Sequence, residues 1–550
     1  RIQAVEGLRQ YVRYGAAEGC RLRFPGGLQL PGGACRLQPS NHRRRQCPPC
    51  RNPRQSAPHA VKIKRLLEKT FVSSEMENTR IHKLPYDEKD IVSIFNYSKK
   101  LVGKTLRDFV HEYHDLSGKG GFGQLVEKLY FKYDINSRQE ADFAFVNAEL
   151  KCTPLKKSRE NELLIKERLV CSMINYQEDW DKAFENSHFY QKCLIMLLLF
   201  YLHNPSVAKL DLEFVFAVLW KIPEKDLLII KQDYDVIINK ISKGLAHTLS
   251  EGDTMYLGAC RKGQKGDSLM PQHGNEQGAP RRAWSLKTAY MRTVLAEVKK
   301  RNKAGAYCNF ELPDAQKDAM FSVQELRCQT VDSIVQTRFK PFLGKTYSEI
   351  LEAIGEKETT SKSKYFKLAN AIAGCGKVAN VNRSEEFIKA GLTMKTIRLS
   401  KNGRLKESMS FENIDYQEVF ANENWTESRL YELFSSRFLF VVFKETDGKI
   451  LLSSGKEEPE YKLEKVAFWT MPQSDLRIAE EYWENIRKSV VENHISAEYF
   501  WKQNDNKCFH VRPKAVNSSD KAQNPNGGVV NKYCYWFNAK YVKKIIDNEI

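Results

Sequence analysis

Long hydrophobic runs are missing from this sequence. The longest, "CLIMLLLFYL" at 193–202, falls far short of the ~20 residues that a membrane helix needs, and it reads as a buried strand or core segment. A continuous apolar core is missing from the first 75 residues too, so no secretory signal is expected there. Without export, the 13 cysteines are not expected to form a disulfide framework. Cys152, Cys171, Cys193 and Cys375 sit in apolar patterns as small buried hydrophobes, and a cytoplasmic setting is expected. "CPPC" at 47–50 has no second Cys/His pair at finger spacing and no βαβ pattern around it, which argues against a zinc site or a redox pair. "VGKT" at 102–105 lacks the first glycine of a phosphate-binding loop: five residues before Gly103 stands Ser98, and before the similar Gly344 stands Phe339. Both copies are therefore read as structural turns into helices.

Acidic residues are scarce at one end. Residues 1–75 hold 15 Lys/Arg against 4 Asp/Glu, a surplus of 11 within the net +19, so the remainder carries +8. That segment is rich in Pro, Gly, Arg and Gln, has almost no periodic apolar pattern, and contains no Met before Met76. It is expected to be a disordered or non-native upstream extension. The basic surplus suits a polyanionic partner such as nucleic acid, although charge alone defines neither fold nor chemistry. At 550 residues with 42% apolar and 11% aromatic content, the chain can pack two domains.

The chain also repeats itself. "LVGKTLRDFV" at 101–110 returns as "FLGKTYSEIL" at 342–351, "AELKCTPLKK" at 148–157 returns loosely as "LTMKTIRLSK" at 392–401, and "KERLVCSMINYQE" at 166–178 returns as "KESMSFENIDYQE" at 406–418. An apolar strand follows in each half, from Lys192 and from Arg437. Landmarks in one order at similar spacing predict two copies of one domain. Sliding the copies together without gaps sets Glu386 at Asp142, Thr393 at Glu149 and Lys395 at Lys151, while in the match of 166–178 with 406–418 Arg168 is met by Ser408. The apolar frame survives while the charged set is broken, so one half is expected to do chemistry and the other to bind or regulate.

That charged set lies in "ADFAFVNAELKCTP" at 141–154. Alternation with period two puts Ala148, Leu150 and Cys152 on one face of a strand and Glu149 and Lys151 on the other. Asp142, seven residues before Glu149, fits a strand, a tight turn at "VNA" and a returning strand. Two close carboxylates repel, and a hard cation such as Mg²⁺ between them makes the arrangement favourable. The carbonyl of Leu150 could add a further oxygen. Lys151 beside the ion could orient a water and neutralise charge developing on a phosphate, which is the outline of a phosphodiester hydrolase. The competing reading is an exposed strand with an ordinary acid/base pair, since D-x6-E-x-K is a short motif. Upstream, "KGGFGQLVEKLYF" at 119–131 has apolar Leu125, Val126, Leu129 and Tyr130 at helical spacing, with Glu127 either a further metal-site acid or a solvated helix residue.

These segments, together with "KERLVCSMINY", "EGDTMYLGACRKG" and "RAWSLKTAYM", resemble the GATC-specific type II restriction endonucleases related to the mismatch-repair nicking endonuclease MutH. The resemblance runs from about Lys100 to the C-terminus and includes the degenerate second copy, with "MKTIRLSKNGRLKESMSFENIDY" and "VRPKAVNSSDKAQ". It implies an α/β fold of two tandem restriction-endonuclease-like (MutH-like) domains, each a central mixed β-sheet flanked by helices. The catalytic domain is expected over 76–300, and a degenerate DNA-binding effector domain over 310–550. By position the resemblance implies Asp142 and Glu149, with Leu150, as Mg²⁺ ligands, Lys151 as the catalytic lysine, Glu127 as an auxiliary acid and Lys119 as a lysine approaching DNA. A second basic residue is implied near "KERLV", with Arg168 favoured over Lys166.

DNA reading is expected after the catalytic core, where Arg and Lys reach guanine edges or phosphates. The candidates are Arg261, Lys262, Lys265, Arg281, Arg282 and Lys287 in the first copy, and Arg512, Lys514 and Lys540 in the second. Each has an ordinary surface charge as its alternative. Ser285 stands where a base-contacting tyrosine of the nicking relative would be expected. The resemblance implies double-stranded cleavage at 5′-GATC-3′ leaving 5′-phosphate ends; two copies on one chain are expected to be able to hold two sites at once, with a cognate methyltransferase as functional partner and a free monomer that can dimerise on DNA. The alternatives are a strand-nicking repair enzyme and a catalytically silent GATC-binding protein.

Overall fold

The apolar run at 193–202 becomes the middle of a sheet. In the computed structural model, the described residues are 84–110, 121–133, 140–158, 161–263, 268–303, 308–311, 319–359, 361–405, 407–452, 455–505 and 508–550. The expectations for residues 1–75, Cys47, Cys50, Lys119 and Lys265 lie outside them.

The first half builds on β1 (Glu149–Lys157), β2 (Leu163–Ile165), β3 (Leu169–Met173), β4 (Ile195–Leu202) and β5 (Phe214–Lys221). With β6 (Leu257–Arg261), β7 (Met270–Gln272), β8 (Asn275–Ala279), β9 (Arg282–Leu286) and β10 (Cys308–Glu311), they form a five-stranded sheet of order β10-β5-β4-β1-β2, a three-stranded sheet β3-β9-β6 and a hairpin β7-β8. β1 runs parallel to β4, and β4 antiparallel to β5. β4 is apolar at every position because both faces are covered. Leu197, Leu199 and Tyr201 join a cluster with Leu150, Tyr130 and Phe214, while Met196, Leu198 and Phe200 join a second with Trp220 and Tyr290.

The second half comprises β11 (Thr393–Leu399), β12 (Met409–Asn413), β13 (Arg437–Leu451), β14 (Glu457–Thr470), β15 (Phe509–Pro513), β16 (Lys521–Gln523), β17 (Val529–Asn531) and β18 (Tyr533–Phe537). Its pairing repeats the first. β11 is parallel to β13, β13 is antiparallel to β14, β12-β18-β15 matches β3-β9-β6, and β16-β17 matches β7-β8. Long helices follow at the same points: Glu224–Ser242 after β5 and Gln473–Val491 after β14, then Thr288–Lys303 after β9 and Ala539–Asn548 after β18.

The two "GKT" segments are indeed turns that tie down the third strand of each sheet. Gly103 N–H donates to Phe214 O and Gly344 N–H to Leu463 O, each at 2.8 Å. Both glycines have left-handed φ, +75° and +81°, a region that costs residues with a Cβ.

The halves pack against each other. One apolar cluster contains residues of both, from Leu155 to Leu463. A buried ion pair joins Lys225 Nζ to Glu386 Oε1 at 2.6 Å, and Lys389 Nζ lies 2.8 Å from Asp226 Oδ1. A Cβ added at Gly252 would lie 2.0 Å from Thr470 Cγ2 in the other half. The gapless match of Glu386 to Asp142 is thereby corrected. Glu386 lies on the helix Glu385–Ala390, where its carboxylate takes the N–H groups of Met320 and Phe321 as well as Lys225. Among the described residues, no helix is long and apolar enough to cross a membrane.

Candidate active site

Glu149 opens β1, and the alternation works as the sequence predicts. Ala148 and Leu150 enter the apolar cluster with Cys152 packed against it, leaving Glu149 and Lys151 on the opposite face. The segment before β1 differs from the expected hairpin. Asp142 lies in a bend, a single bridge joins Phe143 to Ala148, and the turn between is 3-10 helical over Ala144–Val146 with Asn147 at φ +49°. Asparagine tolerates that left-handed conformation better than most residues, and the tight turn brings Asp142 back over the start of β1.

The result is a closed carboxylate pair. Asp142 N–H donates to Glu149 Oε2 at 3.2 Å, and Leu150 N–H donates to Asp142 Oδ2 at 2.9 Å. Lys151 Nζ donates to Glu149 Oε1 at 2.7 Å. A second ammonium, that of Lys192, lies 3.5 Å from the same oxygen. Lys192 was not anticipated as a site residue. It sits at the end of the helix His188–Cys193, just before β4, and since β4 lies parallel beside β1, both strands start at one edge. An isolated lysine directly before the most apolar run was the available signal.

Burial and the charge of Glu149 push the Asp142 carboxyl up to about 7, against the opposing pull of Lys151 and the Leu150 N–H, with Glu127 pushing further. Glu127 is raised as well, by burial first, with Lys151 opposing and Glu149 adding to it. It belongs to this group electrostatically. It projects from a π-helical segment, Val126–Phe131, that continues the short helix Phe122–Leu125 and ends at Lys132 with φ +61°. Burial alone would lower the Lys151 ammonium, but Glu149 more than offsets it and the net direction is up, so Lys151 stays protonated. The Tyr133 hydroxyl is buried without a hydrogen-bond partner. Burial raises it, and Asp142, Glu127 and Glu149 raise it further.

Three carboxylates thus face two ammonium groups around a sheet edge. That excess of hard oxygen donors, with a carboxyl held up near neutrality by burial and then by its neighbour Glu149, is what a hard divalent cation relieves. Among the described residues there is no cluster of three or more His, Cys, Asp or Glu arranged to hold a metal. Any such ion would have to complete its coordination with waters and backbone oxygen, as Mg²⁺ does.

The "KERLV" residues lie elsewhere. Arg168 pairs with Glu251, and Lys166 Nζ lies 3.0 Å from Glu427 Oε2 in the second half. Both line a cavity of 320 Å³ with Lys156, Arg261, Lys262 and Arg292. No contact joins Arg168 to Asp142, Glu149 or Lys151. Arg261 and Arg281 are exposed, and Lys262 is half-buried. Arg282 and Lys287 depart from the expectation of a DNA contact. Period two puts Arg282 on the inner face of β9 with Trp284, where its guanidinium donates to Ala259 O at 2.6 Å and to Leu249 O. Lys287 donates to Glu251 O at 2.6 Å and to Thr254 O. Both cations are taken up by backbone carbonyls of β6 and the segment just before it. In the second half, Arg512 is half-buried and Lys514 and Lys540 are exposed.

A mixed sheet with paired carboxylates and a lysine at one end of its strands has the chemistry to hold a cation beside a phosphate. The family of the DNA mismatch repair enzyme MutH matches residues 131–233, which include β1, β4 and β5, Asp142, Glu149, Lys151 and Lys192. The type II restriction enzyme Sau3AI of Staphylococcus aureus is 28% identical over 507 residues, covering 83% of this chain and 98% of that protein. The chain is thus similar to the MutH family over the sheet that carries this site, and to a type II restriction enzyme over most of its length.

Proposed function

We propose that the chain hydrolyses both strands of DNA at 5′-GATC-3′ with Mg²⁺, using residues 76–300 for catalysis and 310–550 as a DNA-binding effector. The observation that carries this reading is the linked set on one sheet edge: Asp142 and Glu149 joined through backbone N–H groups, with Lys151 and Lys192 on Glu149. Asp142, Glu149 and the Leu150 carbonyl would hold the ion, which supplies Lewis-acid charge neutralisation at the scissile phosphate. Glu149 keeps Lys151 protonated and aimed, so its ammonium is available to charge that develops on the phosphate oxygens. Glu127, raised above the usual carboxylate range chiefly by burial, is the group able to take up a proton there. Arg261, Lys262, Arg281, Arg512 and Lys514 are the cations we assign to DNA. Lys119 is assigned there from the sequence resemblance alone.

The matched strand pairing with a broken charged set supports an effector role for the second half. A catalytically silent GATC-binding protein is the second reading, favoured by that half alone and opposed by the intact set around Glu149. The test is digestion of unmethylated plasmid by the full chain with Mg²⁺ and with EDTA, followed by sequencing of the ends. Mg²⁺-dependent double-strand ends at GATC are expected. DNA that is retarded in a gel but never cut would replace the enzyme with the binding protein.

A further inference from the structure

In the second half the same strand position carries a lysine with no acid. Lys395 lies opposite Phe440 of β13 as Lys151 lies opposite Leu198 of β4. Thr393 replaces Glu149, and Glu386 is spent on Lys225. Lys395 Nζ donates to Ser410 O at 2.9 Å and sits 4.8 Å from the centre of the Phe411 ring.

Two more cations adjoin it. Lys514 Nζ lies 3.5 Å from Phe411 O and 5.3 Å from the Trp536 ring, and the Arg512 guanidinium lies 4.1 Å from that ring. Counting from the pairs Leu257–Leu286 and Phe509–Phe537, Lys514 stands where the first half has Lys262, and Trp536 where it has Ser285. Among the described residues, no carboxylate lies within ion-pair range of Lys395, Arg512 or Lys514. Arg512 Nε and Trp536 Nε1 are buried N–H groups without an acceptor. Three cations, with unmet donors on Arg512 and Trp536, favour an anion with several acceptor oxygens.

We propose that Lys395, Lys514 and Arg512 form a metal-free site for a DNA backbone phosphate, with Lys395 at the strand position that Lys151 holds beside the carboxylates of the first half; this rests on the endonuclease reading above. The first half needs a divalent cation to bring a phosphate to Glu149 and Asp142, because like charges repel. The second half has exchanged that acid for net positive charge and attracts the phosphate directly. Burial and then Lys514 lower the Lys395 ammonium to about 8, while Cys534 and Glu412 act the other way. Loading of the site is therefore linked to a proton.

The experiment is fluorescence anisotropy of the full chain on a GATC duplex in EDTA, across pH and salt, for wild type, Lys395→Met and Lys395→Arg. Wild-type binding should weaken as pH rises through about 8. Lys395→Met should bind about tenfold more weakly at pH 7 and lose about one unit of the log–log salt slope, the signature of one lost phosphate contact. Lys395→Arg should restore binding and flatten the pH dependence, since guanidinium does not titrate there. Unchanged affinity and slope in Lys395→Met would overturn the site. Displacement of DNA by inorganic phosphate at low concentration and matched ionic strength would overturn the DNA assignment in favour of a free-anion site. Plasmid cleavage in Mg²⁺, run alongside, separates the two claims: cutting with no effect of Lys395→Met sinks this site alone, and the binding effect without cutting sinks the endonuclease.

Discussion

Lys151 and Lys395 hold one register position in two sheets, yet their ammonium groups are driven in opposite directions. Glu149, 2.7 Å away, raises Lys151 against its burial, whereas Lys395 meets a carbonyl and another lysine and falls to about 8. The difference traces to one residue two positions upstream, Glu149 in one strand and Thr393 in the other. A single acid therefore separates a site built around a carboxylate from one built around a cation.

Glu149→Ala removes that acid. Cleavage of plasmid should fall by about 10³-fold or more, as for a group that acts with its neighbours as a unit, while retardation of GATC duplex in EDTA persists. Cleavage within tenfold of wild type would take Glu149 out of the site.

Asp142 links activity to stability through pH. Its carboxyl titrates near 7 in the folded chain and near 3.9 when unfolded, so the folded state holds its proton longer. Stability from this group is complete below about 4 and is lost as pH rises through about 7. Asp142→Asn removes the penalty. Without divalent cations its Tm should exceed that of wild type by about 2–4 °C at pH 8, with little difference at pH 4, and cleavage should be lost. A lower Tm at pH 8 would contradict the repulsion inferred between Asp142 and Glu149.

The buried pair Lys225–Glu386 fastens the halves together. Glu386→Ala leaves Lys225 with Glu385 alone, 3.5 Å away, strands the N–H groups of Met320 and Phe321, and should cost about 3 kcal/mol by chemical denaturation of the full chain. Lys225→Met with Glu386→Leu leaves no uncompensated charge and should recover much of the loss. A neutral Glu386→Ala would show that the pair contributes nothing to the packing of the halves.

What the sequence revealed and what it hid follow the range of each interaction. Period-two alternation is local, so the opposite faces of Glu149 and Leu150 and the buried β4 were readable from residue order. The repeat was readable because its landmarks survive in both halves, and the strand registers support the alignments of Lys395 with Lys151 and Thr393 with Glu149. Gapless counting failed at Glu386 because a helix before β11 replaces the 3-10 turn before β1. Lys192 was invisible as a site residue because only the parallel pairing of β1 and β4 brings it to Glu149, across more than forty residues. Arg282 misled because a charged residue on an inner face is paired by distant carbonyls, which residue order does not display.

The proposed binding of DNA by both halves of one chain should make cleavage depend on the number of sites. Once one half is bound, a second GATC on the same molecule is met at a concentration set by the connecting DNA rather than by bulk solution. A plasmid with two sites should be cut faster than a one-site plasmid of equal length, and short GATC duplex added in trans should raise the one-site rate. Arg512→Ala with Lys514→Ala, which leaves the Asp142–Glu149–Lys151 set untouched, should shrink the two-site advantage severalfold while changing the one-site rate little. Equal rates on the two plasmids would remove the effector role from residues 310–550 and leave their cations with binding alone.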